Sequence, residues 1–98
     1  MKAGKIASGE FATEKAVRDG RAALVILAEN ASFHTTKKFS DMCRYRDVPV
    51  MIYQTKETLG RAIGKGERSN LAVLDDQLAA GIQKHIETER QTAERSVL

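Results

Sequence analysis

The run Ala22-Ala23-Leu24-Val25-Ile26-Leu27-Ala28 restricts the fold of this 98-residue chain more than any other stretch. It has the length of a strand and no polar residue at alternate positions. Such a run predicts a strand that is covered on both faces, as in a parallel sheet between helices. We therefore expect it to form the central strand.

Shorter apolar segments alternate with helical patterns on both sides of this run. We predict further strands at 5–7, 50–53 and 71–74, and helices between Gly9 and Gly20 and over about 32–46, 56–63 and 77–94. Strands and helices that alternate at this spacing imply right-handed βαβ units. The fold class is therefore α/β, a single-domain three-layer α/β/α sandwich over residues 1–98. Its sheet should be mostly parallel with about four strands, and its last few residues should fray.

The opening helix has the features of a phosphate-binding element. Ser8 or Gly9 can cap its start, and Glu10 lies in the first turn, where the helix dipole favours an acid. Phe11 and Lys15 share one face one turn apart, and Arg18 lies beside them. A helix that shows lysine and arginine next to an exposed glycine turn is typical of contacts with phosphates.

Apolar spacing predicts which helix faces turn inward. In the second helix the inward residues should be Phe33, Phe39, Met42 and Cys43, and in the last helix Leu78, Ile82, His85 and Ile86. Asp75-Asp76 should cap the last helix, and Thr55 the third. Two glycines flank a lysine in the segment 64–69, which we expect to be a charged, flexible loop that can bind a partner.

The positive charge is concentrated in the N-terminal part of the chain. Residues 1–40 contain seven Lys or Arg and four acids, whereas residues 41–98 contain nine of each, which gives the net charge of +3 and a pI near 9.2. This distribution is a weak indication of an acidic partner. A solvated, lysine-rich surface is an equally weighted interpretation.

An enzyme is the class that the sequence favours least. Cys43, His34 and His85 are isolated and lack metal-ligand spacing, so we predict no metal and no cofactor. The segment 60–66 lacks the order and the ending of a phosphate-binding loop. A single cysteine forms no internal disulfide, and no apolar run approaches the roughly 20 residues that span a bilayer. We therefore expect a cytoplasmic protein with no membrane partner.

Several motifs in fixed order resemble one family. They are Lys2-Ala3-Gly4-Lys5-Ile6-Ala7-Ser8-Gly9-Glu10, Lys15-Ala16-Val17-Arg18-Asp19-Gly20, Leu24-Val25-Ile26-Leu27-Ala28-Glu29-Asn30-Ala31-Ser32, Val48-Pro49-Val50 and Leu59-Gly60-Arg61-Ala62-Ile63-Gly64. Over roughly residues 2–82 the chain resembles the L7Ae/L30e superfamily of RNA-binding ribosomal proteins, especially its small bacterial YlxQ-like branch. The resemblance implies an α/β/α sandwich that binds kink-turns or related RNA elements, including ribosomal RNA.

The resemblance also implies where RNA would bind. Family members use the helix that starts at a glycine and the loop before the last strand. Transferred to this chain, the RNA-binding residues are Gly9, Glu10, Phe11 and Lys15, then Asn30, Ala31 and Ser32, and then Lys65, Gly66, Glu67, Arg68 and Ser69. Phosphates would be neutralised by Lys5, Lys15, Arg18 and either Lys65 or Arg68.

Two features depart from the family pattern. Archaeal members have an Asn-Glu pair that hydrogen-bonds bases of the kink-turn, and here those positions hold Phe11 and Ala12. Phe11 is predicted either to pack in the core, the favoured interpretation, or to stack on an unpaired base. The family usually also has a helix before the first glycine motif, which suggests either a short start or a sheet face protected by self-association as a homodimer.

We therefore predict a non-catalytic protein that binds structured RNA. The first alternative is a protein-interaction or dimerisation module on the same fold, which an exposed patch of Phe11 and Phe33 would favour. The second is a detached substrate-recognition domain of an RNA-modifying enzyme, which would require a neighbouring catalytic chain.

Overall fold

The computed structural model describes residues 4–97, with the side chains of residues 4–92. Lys2 and Ala3 of the first motif and the terminal Leu98 lie outside this range. The elements in chain order are β1 (Ile6–Ser8), α1 (Glu10–Arg18), β2 (Leu24–Leu27), α2 (Phe33–Arg46), β3 (Val50–Ile52), α3 (Lys56–Ala62), β4 (Asn70–Val73) and α4 (Asp76–Val97). The last helix continues three residues beyond its predicted end, into the segment where fraying was expected.

The four strands form one sheet in the order β1-β4-β2-β3. The prediction of a mostly parallel sheet is imprecise, because only β2 and β3 pair in parallel, while β4 pairs antiparallel with both β1 and β2. The reason lies in the segment 64–69, which runs back along α3: the Arg68 amide donates to the Lys56 carbonyl at the start of that helix. The chain thus returns to the edge where β3 ended, so β4 must run in the opposite direction.

Helices cover both faces of the sheet, which confirms the α/β/α sandwich. Val25 and Leu27 of β2 face α1 and α2, whereas Leu24 and Ile26 face α3 and α4. All four residues are at most 5% exposed, as expected of a central strand. Each such aliphatic side chain contributes roughly 1.5–3 kcal/mol through removal from water, so β2 supports both halves of the core.

Side-chain caps begin three of the four helices, and two of them, at Thr55 and Asp75, are at the predicted places. Ser32 Oγ accepts from the Thr35 amide at 3.1 Å, and Thr55 Oγ1 accepts from the Thr58 amide at 3.2 Å. Asp75 accepts from the Leu78 amide at 2.8 Å before α4. These bonds satisfy amides that have no partner inside the helix. Within the described residues, α1 begins at Gly9 without a side-chain cap.

Three predicted inward side chains point outward. Phe11 and Phe33 are 78% and 81% exposed, and His85 is exposed and pairs with Glu89 at 2.8 Å. The helical period explains the error at Phe33, because Phe33 lies six positions before the fully buried Phe39 and therefore about 120° away around α2. The favoured core interpretation of Phe11 is wrong for a similar reason, since Thr13, Ala16 and Val17 form the buried face of α1.

Cys43 of α2 is a buried free thiol in the part of the core that α1 and α2 form with the sheet. Its burial raises the pKa of the thiol to about 11, because the thiolate would lose its hydration. The residue therefore acts as a small apolar core residue, as predicted. None of the helices in the described part of the chain has the length and apolar character needed to cross a membrane.

Candidate nucleic-acid interface

The segments singled out from the sequence meet at one edge of the sheet, which we call the carboxyl edge. This name refers to the ends of the strands and not to an edge strand: β1, β2 and β3 end there, and β4 begins there. The opposite ends of the strands form the amino edge. The Gly9 amide donates to the Asn70 carbonyl at 3.4 Å, and the Ala28 amide donates to the Ser69 carbonyl at 2.9 Å. The start of α1, the turn 29–32 and the loop 64–69 are therefore neighbours.

A polar groove of about 270 Å³ lies at the start of α1. Its lining residues are Ser8, Gly9, Glu10, Thr35, Glu67, Arg68, Ser69 and Asn70. Gly9 has φ 90° and ψ 157°, a conformation that glycine adopts most readily. Since no described side chain caps α1, the amides of its first turn are free to donate toward this groove, and the positive end of the helix dipole lies there.

A second polar groove, of about 300 Å³, adjoins the first. It is lined by Ala31, Ser32, Thr35, Lys56, Glu67 and Ser69. Thr35, Glu67 and Ser69 line both grooves. The two grooves thus form a continuous polar surface that joins the starts of α1, α2 and α3. Lys65 and Gly66 are exposed and occupy the outer part of the loop beside it.

Arg68 holds the loop 64–69 against β1. Its Nε donates to Ser8 Oγ at 3.1 Å, and its Nη1 donates to the carbonyls of Gly66 and Glu67 at 3.3 and 2.9 Å. The loop is therefore anchored, in contrast to the flexible loop expected from its glycines. Nη2 of Arg68 makes no hydrogen bond within the described residues, which leaves it available as a donor to an anion.

Close packing against α3 also shapes the loop. The Lys65 amide donates to the Gly60 carbonyl at 2.8 Å. A Cβ placed on Gly60 would overlap the backbone carbonyl of Gly66. Glycine at position 60 is thus required for the loop to lie where it does.

Asn30 joins the turn 29–32 to the start of α3. Its Oδ1 accepts from the Lys56 amide at 2.8 Å, and its Nδ2 donates to Glu57 Oε1 at 3.1 Å. The pKa of Glu57 is lowered, first by a hydrogen bond from its own backbone amide and then by the Asn30 amide. Both polar ends of Asn30 are occupied, so in this arrangement the side chain positions the turn.

Ion pairs neutralise much of the positive charge near this edge. Lys38 lies 2.7 Å from Glu14 and 3.6 Å from Glu10, and Lys56 lies 3.9 Å from Glu67. The hydrogen bond with Lys38 lowers the pKa of Glu14 and raises that of Lys38. Lys65 has no ion pair within the described residues. Among the described residues of the loop 64–69 and the start of α1, the unpaired donors thus include Lys65, Nη2 of Arg68 and the first amides of α1.

Three predicted phosphate contacts lie away from the grooves. Lys15 is on the outer face of α1, one turn beyond Phe11, and pairs with Asp19 at 3.1 Å. Arg18 ends α1 and pairs with Glu14 at 3.2 Å. Lys5 precedes β1 and lies 3.8 Å from Asp75. Lys5 and Arg18 are near the amino edge, so the fold separates them from the residues gathered at the carboxyl edge.

Sequence reasoning missed several residues of this surface. Ser8, Thr35, Lys56 and Asn70 line the grooves. Two of them had a local signal, because Thr35 lies three residues after the cap Ser32 and Lys56 directly follows the cap Thr55. Ser8 directly precedes the predicted Gly9 and Asn70 directly follows the predicted Ser69, but the pairing of β1 with β4 is what brings the two together.

Fold and surface together define a class of small α/β/α proteins with a mixed sheet and a polar edge built from helix starts. The chain belongs to the ribosomal protein L7Ae/L30e/S12e/Gadd45 family, whose model matches residues 1–86. This confirms the resemblance inferred from the motifs.

Named relatives and a solved structure agree with this membership. The RNA-binding protein YlxQ of Bacillus subtilis is 44% identical over 78 residues, which cover 80% of this chain and 78% of the relative. The RNA-binding protein YlxQ of Enterococcus faecium is 32% identical over 87 residues, covering 89% and 84%. A Bacillus halodurans protein of unknown function has a structure that matches with a TM-score of 0.82 at 37% identity, covering 85% of this chain and 84% of that one.

Proposed function

We propose that this protein is a non-catalytic RNA-binding protein whose carboxyl edge binds structured RNA, such as a kink-turn or a related element of ribosomal RNA. The observation that carries the proposal is that the start of α1, the turn 29–32 and the loop 64–69 line two adjoining polar grooves. Relatives that are named as RNA-binding proteins, at 44% and 32% identity, support the same class of ligand.

In this proposal the first amides of α1, beside Gly9 and Glu10, bind a phosphate at the positive end of the helix. Lys65 and Nη2 of Arg68 neutralise neighbouring phosphates from the loop. Ala31 and Ser32 shape the groove between α1 and α3, and Asn30 keeps their turn in position. Lys15 lies farther along α1 and contacts an RNA strand that extends past the grooves.

The test compares two RNAs with the same base-paired stems. One contains a kink-turn, and in the other the bulge is closed to give a continuous duplex. We expect tighter binding of the kinked RNA by fluorescence anisotropy, with an affinity that falls steeply as salt increases, because phosphate contacts release counterions. Equal and weak binding of both RNAs would contradict the proposal.

A charge reversal on α1 provides a control within the same protein. Lys15→Glu should weaken binding of the kinked RNA without unfolding the protein, because the residue is exposed on the surface of α1. Lys84→Glu makes the same change in charge on α4, at an exposed position on the other side of the sheet. It should leave the affinity near that of the original chain. Equal effects of the two variants would exclude a specific contact at Lys15.

The exposure of Phe11 and Phe33 favours one alternative, a protein-interaction or dimerisation module. Light scattering after size exclusion measures self-association, and anisotropy measures RNA affinity at the same concentrations. A chain that self-associates and binds no RNA would favour this alternative. The proposal also includes a cytoplasmic location, where the reduced thiol of Cys43 would persist.

A further inference from the structure

We propose that Phe11 and Phe33 stack against unpaired nucleobases of the bound RNA, one ring at the start of α1 and one at the start of α2. This inference rests on the proposed function and specifies the RNA as one with bases outside a helix. It assigns a role to two side chains that the grooves themselves do not include.

The exposure of the two rings is the first argument. Phe11 and Phe33 are 78% and 81% exposed, whereas Phe39 in the same layer is completely buried. Within the described residues, neither exposed ring makes a contact with another ring or a cation. Tyr45, at the opposite end of α2, is 86% exposed but has the Arg46 guanidinium 5.9 Å from its ring centre. Phe11 and Phe33 thus present free aromatic faces.

The position of the rings is the second argument. Phe11 directly follows Glu10, which lines the first groove, and Phe33 directly follows Ser32, which lines the second. Thr35, one turn into α2, lines both grooves. Both residues therefore adjoin groove-lining residues at two helix starts, while Tyr45 lies at the other end of α2.

The surroundings of the rings favour a nucleotide as the partner. A nucleotide combines an anion with an aromatic face, and this edge combines free helix amides, Lys65 and Arg68 with exposed rings. Proteins hold splayed RNA by stacking its bases on aromatic side chains, whichever base is present.

The experiment uses the full chain and two hairpins with identical stems, one with a three-nucleotide bulge and one without. Phe11→Ala and Phe33→Ala should each weaken binding of the bulged RNA by about fivefold to 150-fold, the range for loss of one stacked base. Phe11→Trp and Phe33→Trp should retain binding, because an aromatic face remains. Tyr45→Ala is the matched control, an equally exposed aromatic on α2 that should leave the affinity unchanged.

A fluorescent base analogue, 2-aminopurine in the bulge, reports stacking directly. Its fluorescence should change on binding the original chain, and this change should be lost in whichever variant, Phe11→Ala or Phe33→Ala, removes the ring that stacks on the labelled base. If both Phe→Ala variants bind the bulged RNA with the affinity of the original chain and give the same fluorescence change, the inference is overturned while RNA binding stands. Loss of self-association in these variants, with RNA binding retained, would also overturn it and assign the rings to a protein contact. If the original chain binds neither hairpin, the proposed function fails, and this inference fails with it.

Discussion

The two edges of the sheet both have charged side chains but use them differently. At the amino edge, Lys5 and Arg18 each pair with a carboxylate, at 3.8 and 3.2 Å, on a surface where α1 ends. At the carboxyl edge, α1 begins without a side-chain cap, and Lys65 has no ion pair within the described residues. Lys5 and Arg18 of the amino edge are thus paired, whereas the start of α1 and Lys65 keep free donors.

This contrast shows why net charge is a poor guide to a binding surface. The N-terminal forty residues contain the whole positive excess. The fold nevertheless separates Lys5 and Arg18 from the start of α1. It brings in Lys65 and Arg68, from the part of the chain with balanced charge. Strand order therefore determines which cations lie together.

The largest effect is expected from Gly60→Ala, which tests how the loop of the carboxyl edge is held. The new Cβ would overlap the Gly66 carbonyl, so α3 and the loop must move apart. We expect a loss of about 1–3 kcal/mol in the free energy of unfolding, as for overpacking elsewhere. RNA affinity should fall as well. Gly81→Ala on α4 is the control, because its Cβ would enter open space. Urea unfolding measures both variants, and equal stabilities would contradict the packing described.

Ionisation of the Cys43 thiol, on the helix α2 that ends at the amino edge, should have a smaller effect on the free energy of unfolding, confined to high pH. The unfolded thiol ionises near pH 9, whereas burial raises the pKa of the folded thiol to about 11. The unfolded state therefore binds fewer protons between these values, and the free energy of unfolding should fall with rising pH there, by up to about 2 kcal/mol. Below pH 9 the thiol should cause no pH dependence. Cys43→Ala should lack this part of the decline when unfolding is measured across that pH range.

Removal of the α2 cap at the carboxyl edge should cost about 1 kcal/mol of stability. Ser32→Ala removes the oxygen that accepts from the Thr35 amide at 3.1 Å. Ser32→Asp retains an oxygen that can accept this hydrogen bond, so this variant should be as stable as the original chain. Thermal unfolding of the three proteins measures the effect, and a Ser32→Ala variant as stable as the original would show that the cap contributes nothing.

The smallest effect belongs to the amino edge. Lys5→Ala breaks an ion pair of 3.8 Å between side chains that are 45% and 34% exposed. Such pairs are screened by solvent, so stability should change by less than about 0.5 kcal/mol. A larger loss in urea unfolding would show that this edge depends on its charges.

Local features of this fold were predictable from the sequence, and distant contacts were not. The burial of β2 follows from its unbroken apolar run, and the caps Ser32, Thr55 and Asp75 follow from residue type and position. The insertion of β4 between β1 and β2 depends on the way the loop 64–69 retraces α3. No local sequence pattern predicts the path of this loop.

Some features of the candidate site were likewise predictable from the sequence, and others were not. Gly9 and the loop 64–69 could be selected from their glycines and charges, and the structure brings them together. The bond between Arg68 and Ser8 joins residues 60 positions apart, and no spacing rule predicts it. Apolar character alone predicts an inward Phe33, whereas the helical period places it away from Phe39.

The most direct test of the contrast is a pair of charge reversals, one at each edge. Lys65→Glu and Lys5→Glu make the same change in charge, so binding of a kink-turn RNA by anisotropy isolates the effect of position. We predict that Lys65→Glu weakens binding about tenfold. It should also reduce the slope of log affinity against log salt concentration by about one, the loss of one phosphate contact, while Lys5→Glu has little effect. Equal losses in both variants, or a loss in Lys5→Glu alone, would contradict the assignment of RNA binding to the carboxyl edge.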